Sequence, residues 1–256
     1  IRAMSGTCMM YKVDERRNVY IGHDTKESIL FAVDHLIDQA EEAISKRSGF
    51  YLALSGGSTP KAIFHTLATH PRKQSVDWSK VYLFWSDERC VPPTDSQSNY
   101  KMAIDFGINT LNIPESNIYR MKGELDPKEA ASDYEKTIKE VVPHATFDLI
   151  MLGMGDDGHT ASLFPDSEAL HIKDHLVAAN WVEKVSMWRL TFTFPLINQA
   201  RETNLYVLGS LKKERVAKVF SSPESDNPVA QIGTEEHPAL WILDQESANN
   251  LNSTIT

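Results

Sequence analysis

Apolar side chains recur along the chain with two different periods. From Asp24 to Gly49 they return every three to four residues, as on the buried face of an amphipathic helix. Asp24 suits the N-cap of this helix, and Gly49 suits its C-terminal stop. The apolar runs FYLAL at 50–54 and VYLFW at 81–85 have the length of buried strands instead. The two patterns predict a helix followed by strands that are covered on both faces.

The same alternation continues to the end of the chain. Further strand candidates are FDLIMLGMG (147–155), HLVAAN (175–180), RLTFTF (189–194), NLYVLG (204–209) and ALWIL (239–243). One helix candidate begins at Pro60, and three others cover 98–106, 127–142 and 211–220. Strands that alternate with helices predict an α/β fold built of βαβ units, with a mostly parallel sheet flanked by helices. Since no linker or repeat divides the pattern, we expect residues 1–256 to form a single domain.

Composition narrows the functional classes. The net charge of −9 over 256 residues argues against a general nucleic-acid-binding surface. No apolar run approaches the ~20 residues of a membrane span, and the first ten residues lack the apolar centre of a signal peptide. Cys8 and Cys90 form no Cys-x-x-Cys pair, so we expect free thiols rather than a disulfide or a zinc site. A cytoplasmic location is therefore expected.

A glycine-rich turn, SGGSTP, follows the first strand candidate. Gly56 and Gly57 permit positive φ, and the hydroxyls of Ser58 and Thr59 suit the cap of a helix that begins at Pro60. Free N–H groups at a helix N-terminus bind phosphate. The turn is neither a P-loop nor a G-x-G-x-x-G motif. A purely structural turn fits the same residues, so the two interpretations stay open here.

Charged residues follow the next strand candidate without a break, in SDERC. Ligands of parallel sheets bind beyond the carboxyl ends of the strands, where Asp87 and Arg89 would lie. The fork of a guanidinium suits a phosphate or an oxyanion. A solvated charge cluster explains the same segment equally well.

The segment LGMGDDGHTASLFP places a carboxylate and an imidazole two positions apart. A turn there would let Asp157 orient His159, and histidine is the usual general base near neutral pH. The alternative is a loop histidine without chemistry. No His-x-x-x-His pattern or second ligand cluster suggests a metal site. Arg189 and Lys212, near later strand candidates, are either counter-charges for a phosphate or ordinary surface residues.

Five motifs together carry a resemblance: LSGGSTPK, WSDERCVPPTDSQSNY, DLIMLGMGDDGHTASLFP, RLTFTFPLINQAR and VLGSLKKERV. In this order they resemble the 6-phosphogluconolactonase family, and the tail PVAQIGTEEHPALWILDQESA extends the likeness. The resemblance implies a Rossmann-like α/β sandwich, a fold similar to that of glucosamine-6-phosphate isomerase/deaminase. That relative has a catalytic glutamate five residues after the histidine. Phe164 occupies that position here. The departure favours the lactonase.

The resemblance implies hydrolysis of 6-phosphoglucono-δ-lactone in the oxidative pentose phosphate pathway, without a metal or an organic cofactor. In this interpretation His159 activates water, and Asp157 orients the imidazole of His159. Arg89 holds the oxyanion or a polar edge of the substrate, and Asp87 contacts sugar hydroxyls or supports the site. The phosphate would be bound by Gly56, Gly57, Ser58, Thr59, Arg189 and Lys212. A sugar-phosphate isomerase or deaminase and a non-catalytic sugar-phosphate sensor are the alternatives. The sequence does not indicate an oligomeric state.

Overall fold

The structure is a computed structural model that describes residues 10–222 and 226–251. Its strands are β1 (Met10–Lys12), β2 (Arg17–Gly22), β3 (Phe50–Leu54), β4 (Val81–Trp85), β5 (Asp87–Arg89), β6 (Leu149–Leu152), β7 (Val177–Val182), β8 (Met187–Phe192), β9 (Thr203–Val207) and β10 (Ala239–Asp244). Its α-helices are α1 (Thr25–Arg47), α2 (Ser58–Thr69), α3 (Asn99–Asp105), α4 (Pro127–Val141), α5 (Phe194–Asn198) and α6 (Lys213–Ser221).

Seven strands form the main sheet, in the order β1-β2-β10-β9-β6-β3-β4. Every neighbouring pair is parallel except β1 and β2, which confirms the mostly parallel Rossmann-like prediction. The strands β5, β8 and β7 form a separate antiparallel sheet. The candidates at 175–180 and 189–194 therefore belong to this smaller sheet. The second of them ends at Phe192, because Phe194 already begins α5.

Two apolar clusters cover the two faces of the main sheet. Alternate strand residues pack against α1, α2 and α3 on one face, for example Leu52 and Leu83. Their neighbours Ala53 and Phe84 pack on the other face with α4, α5, α6 and the smaller sheet. Because both faces are covered, these strands are apolar at nearly every position rather than at every second one.

Helix ends follow the sequence only in part. The Asp24 carboxylate accepts a hydrogen bond from the Glu27 N–H at 2.8 Å, which confirms the predicted N-cap of α1. The predicted stop at Gly49 is wrong, because Ser48 takes the left-handed conformation with φ 65°. The predicted caps of α2 are also wrong: Ser58 and Thr59 already lie in the helix, and Gly57 with φ 105° is the N-cap.

None of the helices in the described ranges is long and apolar enough to cross a membrane. Cys90 is a free thiol within these ranges, and burial raises its pKa to about 11. Cys8 lies outside the described residues.

The position of the ligand site follows from the strand order. From β3 the chain continues outward to β4, whereas β6 lies on the other side of β3 and leads to β9. The connections therefore diverge between β3 and β6, and a crevice forms there beyond the carboxyl ends of the strands. At its rim Ser86 leaves the main sheet: its N–H donates to Leu54 O at 2.8 Å, and its own O accepts from Phe192 N at 2.8 Å. This residue joins the two sheets.

Candidate active site

A cavity of about 250 Å³ occupies this crevice. Nine of the ten predicted site residues line it: Gly56, Gly57, Ser58, Thr59, Asp87, Arg89, His159, Arg189 and Lys212. The tenth, Asp157, contacts the imidazole of His159 from outside the cavity wall. Segments more than 100 residues apart in the chain therefore meet in one pocket.

The turn after β3 opens the N-terminus of α2 towards this cavity. Gly57 has the positive φ that an L side chain rarely adopts, and it provides no side-chain cap. The first helical hydrogen bond at this end runs from Lys61 N to Gly57 O, at 3.1 Å. The N–H groups of Ser58 and Thr59 thus lie at a helix terminus that has no side-chain cap and lines the cavity. This terminus can accept an anion.

The smaller sheet presents two arginines to the same cavity. In the antiparallel pairing of β5 with β8, Asp87 lies opposite Thr191 and Arg89 lies opposite Arg189. Since side chains alternate between the faces of a strand, Asp87, Arg89 and Arg189 share one face. The sequence predicted Arg189 as the first residue of its strand, but it is the third.

The arginine pair is short of hydrogen-bond acceptors. Arg89 donates from Nη1 to Gln97 O at 2.7 Å. The Nε atoms of Arg89 and Arg189 are buried and have no partner within the described residues. Burial and the charge of Arg89 together lower the pKa of Arg189. Two adjacent, partly buried guanidinium groups with open donors favour the binding of an anion.

The two carboxylates of β5 have different surroundings. Asp87 lines the cavity, and its Oδ2 accepts a hydrogen bond from Ser162 Oγ at 2.8 Å. Glu88 points to the opposite face and accepts from Asn99 N at 2.7 Å and from Tyr100 N at 3.0 Å. Burial raises the pKa of Glu88, although these hydrogen bonds oppose the rise. Glu88 therefore holds the start of α3, and Asp87 is the carboxylate that a ligand can meet.

Asp157 and His159 form a hydrogen-bonded dyad. Asp157 Oδ1 lies 2.6 Å from His159 Nδ1, and it also accepts from the backbone N–H of His159 at 3.0 Å. Lys184 donates to Oδ2 at 3.2 Å. Burial alone would raise the pKa of Asp157, but the hydrogen bonds from His159 and Lys184 outweigh it and lower the pKa.

The protonation of this dyad follows from its geometry. An ionised carboxylate only accepts hydrogen bonds, so the proton between the two groups belongs to Nδ1. A neutral imidazole then has its free lone pair on Nε2, an atom without a hydrogen-bond partner in the described part of the chain. The arrangement can accept a proton from a molecule bound in the cavity.

Lys212 reaches the cavity from the turn after β9. It lies in the 3₁₀ turn Ser210–Lys212, and only 26% of its side chain is exposed. Its Nζ donates to Met154 O at 2.8 Å and to Asp156 Oδ1 at 3.2 Å. The lysine therefore ties the turn after β9 to the loop after β6.

Sequence reasoning missed three residues that shape the site. Asn99 lines the cavity and donates from Nδ2 to Asp87 O at 3.1 Å. Ser162 holds the Asp87 carboxylate, and Lys184 contacts Asp157. Asn99 and Ser162 lie inside the motifs that carry the family resemblance, which was the available signal. Lys184 lies in a surface turn and had none. In the described residues, no group of three or more His, Cys, Asp or Glu side chains could hold a metal ion.

The chain matches known proteins over most of its length. Residues 23–241 match the family model for glucosamine-6-phosphate isomerases/6-phosphogluconolactonase. A 6-phosphogluconolactonase of Chlamydia pneumoniae is 39% identical over 229 residues, which are 87% of each chain. The 6-phosphogluconolactonase structure from Trypanosoma cruzi has a TM-score of 0.82 and 26% identity over 94% of this chain and 98% of its own.

The fold extends to a second enzyme class. A monomeric glucosamine-6-phosphate deaminase superimposes with a TM-score of 0.78 over 91% of this chain and 99% of its own, at 19% identity. That likeness concerns the fold alone. The match of the family model and the identity to the chlamydial relative together show that this chain belongs to the glucosamine-6-phosphate isomerase/6-phosphogluconolactonase family.

Proposed function

We propose that this protein is a 6-phosphogluconolactonase, which hydrolyses 6-phosphoglucono-δ-lactone to 6-phosphogluconate in the oxidative pentose phosphate pathway. The observation that carries the proposal is that His159, held by Asp157, lines one cavity with the arginine pair Arg89 and Arg189. A base next to unpaired cations suits the hydrolysis of an anionic ester. The chlamydial relative, which is 39% identical, is named 6-phosphogluconolactonase.

In the proposed binding mode the phosphate lies on the N-terminus of α2, which has no side-chain cap. The N–H groups of Ser58 and Thr59 donate to it, and Arg189 and Lys212 neutralise its charge. Binding at this remote group positions the lactone carbonyl, which removes part of the entropic barrier. It also gives specificity, because a lactone without phosphate leaves the cationic donors unpaired.

The chemical step uses water as the nucleophile. His159 Nε2 takes a proton from water as the water oxygen attacks the lactone carbonyl, and a tetrahedral oxyanion forms. Arg89 stabilises that oxyanion. When the intermediate collapses, the bond between C1 and the ring oxygen breaks, and the protonated imidazole returns its proton to that oxygen. Asp157 keeps the proton on Nδ1 throughout, and Asp87, held by Ser162, contacts a sugar hydroxyl.

The direct test is a coupled assay with freshly generated lactone, which follows 6-phosphogluconate by its oxidation with a dehydrogenase. The lactone also opens spontaneously, so the uncatalysed rate in buffer is the baseline. We expect 6-phosphogluconate to form well above that rate. A rate equal to that of the buffer alone would refute the proposal. Tight binding of 6-phosphogluconate without turnover would indicate a sugar-phosphate sensor instead.

The shared fold favours one alternative, a glucosamine-6-phosphate isomerase or deaminase. Phe164 counts against it, because this position lacks the carboxylate that the resemblance assigns to that chemistry. Release of ammonia from glucosamine 6-phosphate would establish the alternative. We expect none above background.

Replacing Asp157 by asparagine is expected to lower kcat by about 100-fold or more, because the amide can stabilise the wrong tautomer of His159. The matched control is Asp174→Asn, which makes the same change at an exposed position. Steady-state kinetics of both variants check this. An Asp157→Asn enzyme as fast as the control would remove the carboxylate from the mechanism.

Activity is expected to survive exhaustive chelation, since the proposed steps use only protein side chains and water. Dialysis against a chelator, followed by the coupled assay, checks this. Loss of activity that zinc restores would contradict it.

A single domain over residues 1–256 and a cytoplasmic location complete the proposal.

A further inference from the structure

The imidazole of His159 is held by more than its carboxylate. The ring of Phe164 stacks on it, with centroids 4.0 Å apart and an angle of 17° between the planes. Phe164 is 6% exposed, so the surrounding protein holds its own ring in place. One face of the proposed base is therefore covered by an apolar surface.

Gly155 borders the same imidazole on the side of Nδ1 and Cε1. A side-chain carbon at Gly155 would overlap both atoms, so only glycine leaves room for the ring. The Gly155 N–H also donates to His159 O at 2.9 Å, which fixes the two residues to each other. Gly155, Phe164 and Asp157 together enclose the ring and leave Nε2 as the nitrogen without a partner in the described residues.

Phe164 also lies close to one arginine of the pair. The Cζ atom of Arg189 lies 5.7 Å from the centroid of the Phe164 ring. One aromatic ring thus lies beside both the proposed base and a proposed phosphate ligand.

A hydrogen bond at Nδ1 alone does not fix an imidazole. The ring torsion of histidine is broad, and the ring can swing about a bond to a single atom. A swing would move Nε2, the atom that must meet the attacking water. A stacked ring and a tight backbone contact remove this freedom, because either motion meets a hard surface.

We propose that Phe164 is a further positioning residue for His159, which holds the plane of the imidazole while Asp157 holds Nδ1. It holds the imidazole plane so that Nε2 meets the attacking water in one orientation. The inference rests on the proposed function and adds a residue to it. Phe164 does not react; it acts through the orientation of the base.

The kinetic test compares three variants: Phe164→Leu, Phe164→Tyr and Phe194→Leu. For Phe164→Leu we expect kcat to fall by roughly 10- to 100-fold, since small misplacements of a reacting group have effects of that size. KM should change by less than about fivefold, because an isolated cation–π contact contributes little. Phe164→Tyr retains a ring and should recover most of kcat. Phe194 is 8% exposed and lies outside the cavity, so its leucine variant controls for lost core volume.

A second measurement does not depend on turnover. The stacked ring should shift the imidazole proton resonances of His159 upfield, and Phe164→Leu should abolish this shift while Phe194→Leu leaves it. Unchanged resonances in Phe164→Leu would refute the stack whatever the activity. A kcat loss in Phe164→Leu no larger than in Phe194→Leu would refute the positioning. Failure of the unaltered protein to hydrolyse the lactone would instead refute the proposed function, and the positioning proposal with it.

Discussion

Replacing His159 by alanine is expected to lower kcat by about 100- to 10,000-fold, the range that a positioned general base contributes. The free Nε2 atom of the dyad is the proposed proton acceptor, and within the described cavity no second histidine lies beside it to take over this task. KM should change little, because the phosphate contacts come from other segments. Steady-state kinetics with fresh lactone measure both constants.

His65→Ala is the matched control for this experiment. His65 lies exposed on α2 and does not line the cavity, so its loss should leave kcat unchanged. If His159→Ala retained the turnover of this control, the dyad would be a structural feature and the base would have to be another group. Circular dichroism of each variant verifies that the fold is intact.

Replacing Arg189 by methionine is expected to raise KM for the phosphorylated lactone by about 10- to 100-fold, the equivalent of one lost hydrogen bond to a charged group. Hydrolysis of glucono-lactone without phosphate should be unaffected, because that substrate makes no such bond. Comparing kcat/KM for the two substrates measures the difference. Equal losses for both would assign Arg189 to the lactone end of the substrate.

The same variant separates binding from folding. Burial and the neighbouring charge of Arg89 lower the pKa of Arg189, so its charge is less favourable in the folded protein than in water. Removing the charge should therefore not lower the thermal unfolding midpoint. Arg120→Met is the control for loss of a guanidinium, since Arg120 pairs with Glu124 away from this cavity. A large loss of stability in Arg189→Met would show that the arginine pair is structural.

Local patterns in the sequence determined most of the main sheet. The strands at 50–54 and 81–85 were predicted with their observed bounds, because burial on both faces leaves an uninterrupted apolar run. The sequence also predicted the contact between Asp157 and His159, since a carboxylate two residues away reaches the imidazole through one turn. Each of these features depends on residues that are close in the chain.

The tertiary structure decided what depends on the pairing of distant segments. The sequence alone indicated an anion site, but the pairing of β5 with β8 brings Arg89 opposite Arg189, one hundred positions away. Local periodicity shows which side chains of a strand share a face, but it does not show which distant strand lies beside it. The same holds for the position of Phe164 beside Arg189. The chain's local chemistry thus determined which groups could act, and packing between distant segments decided which of them meet.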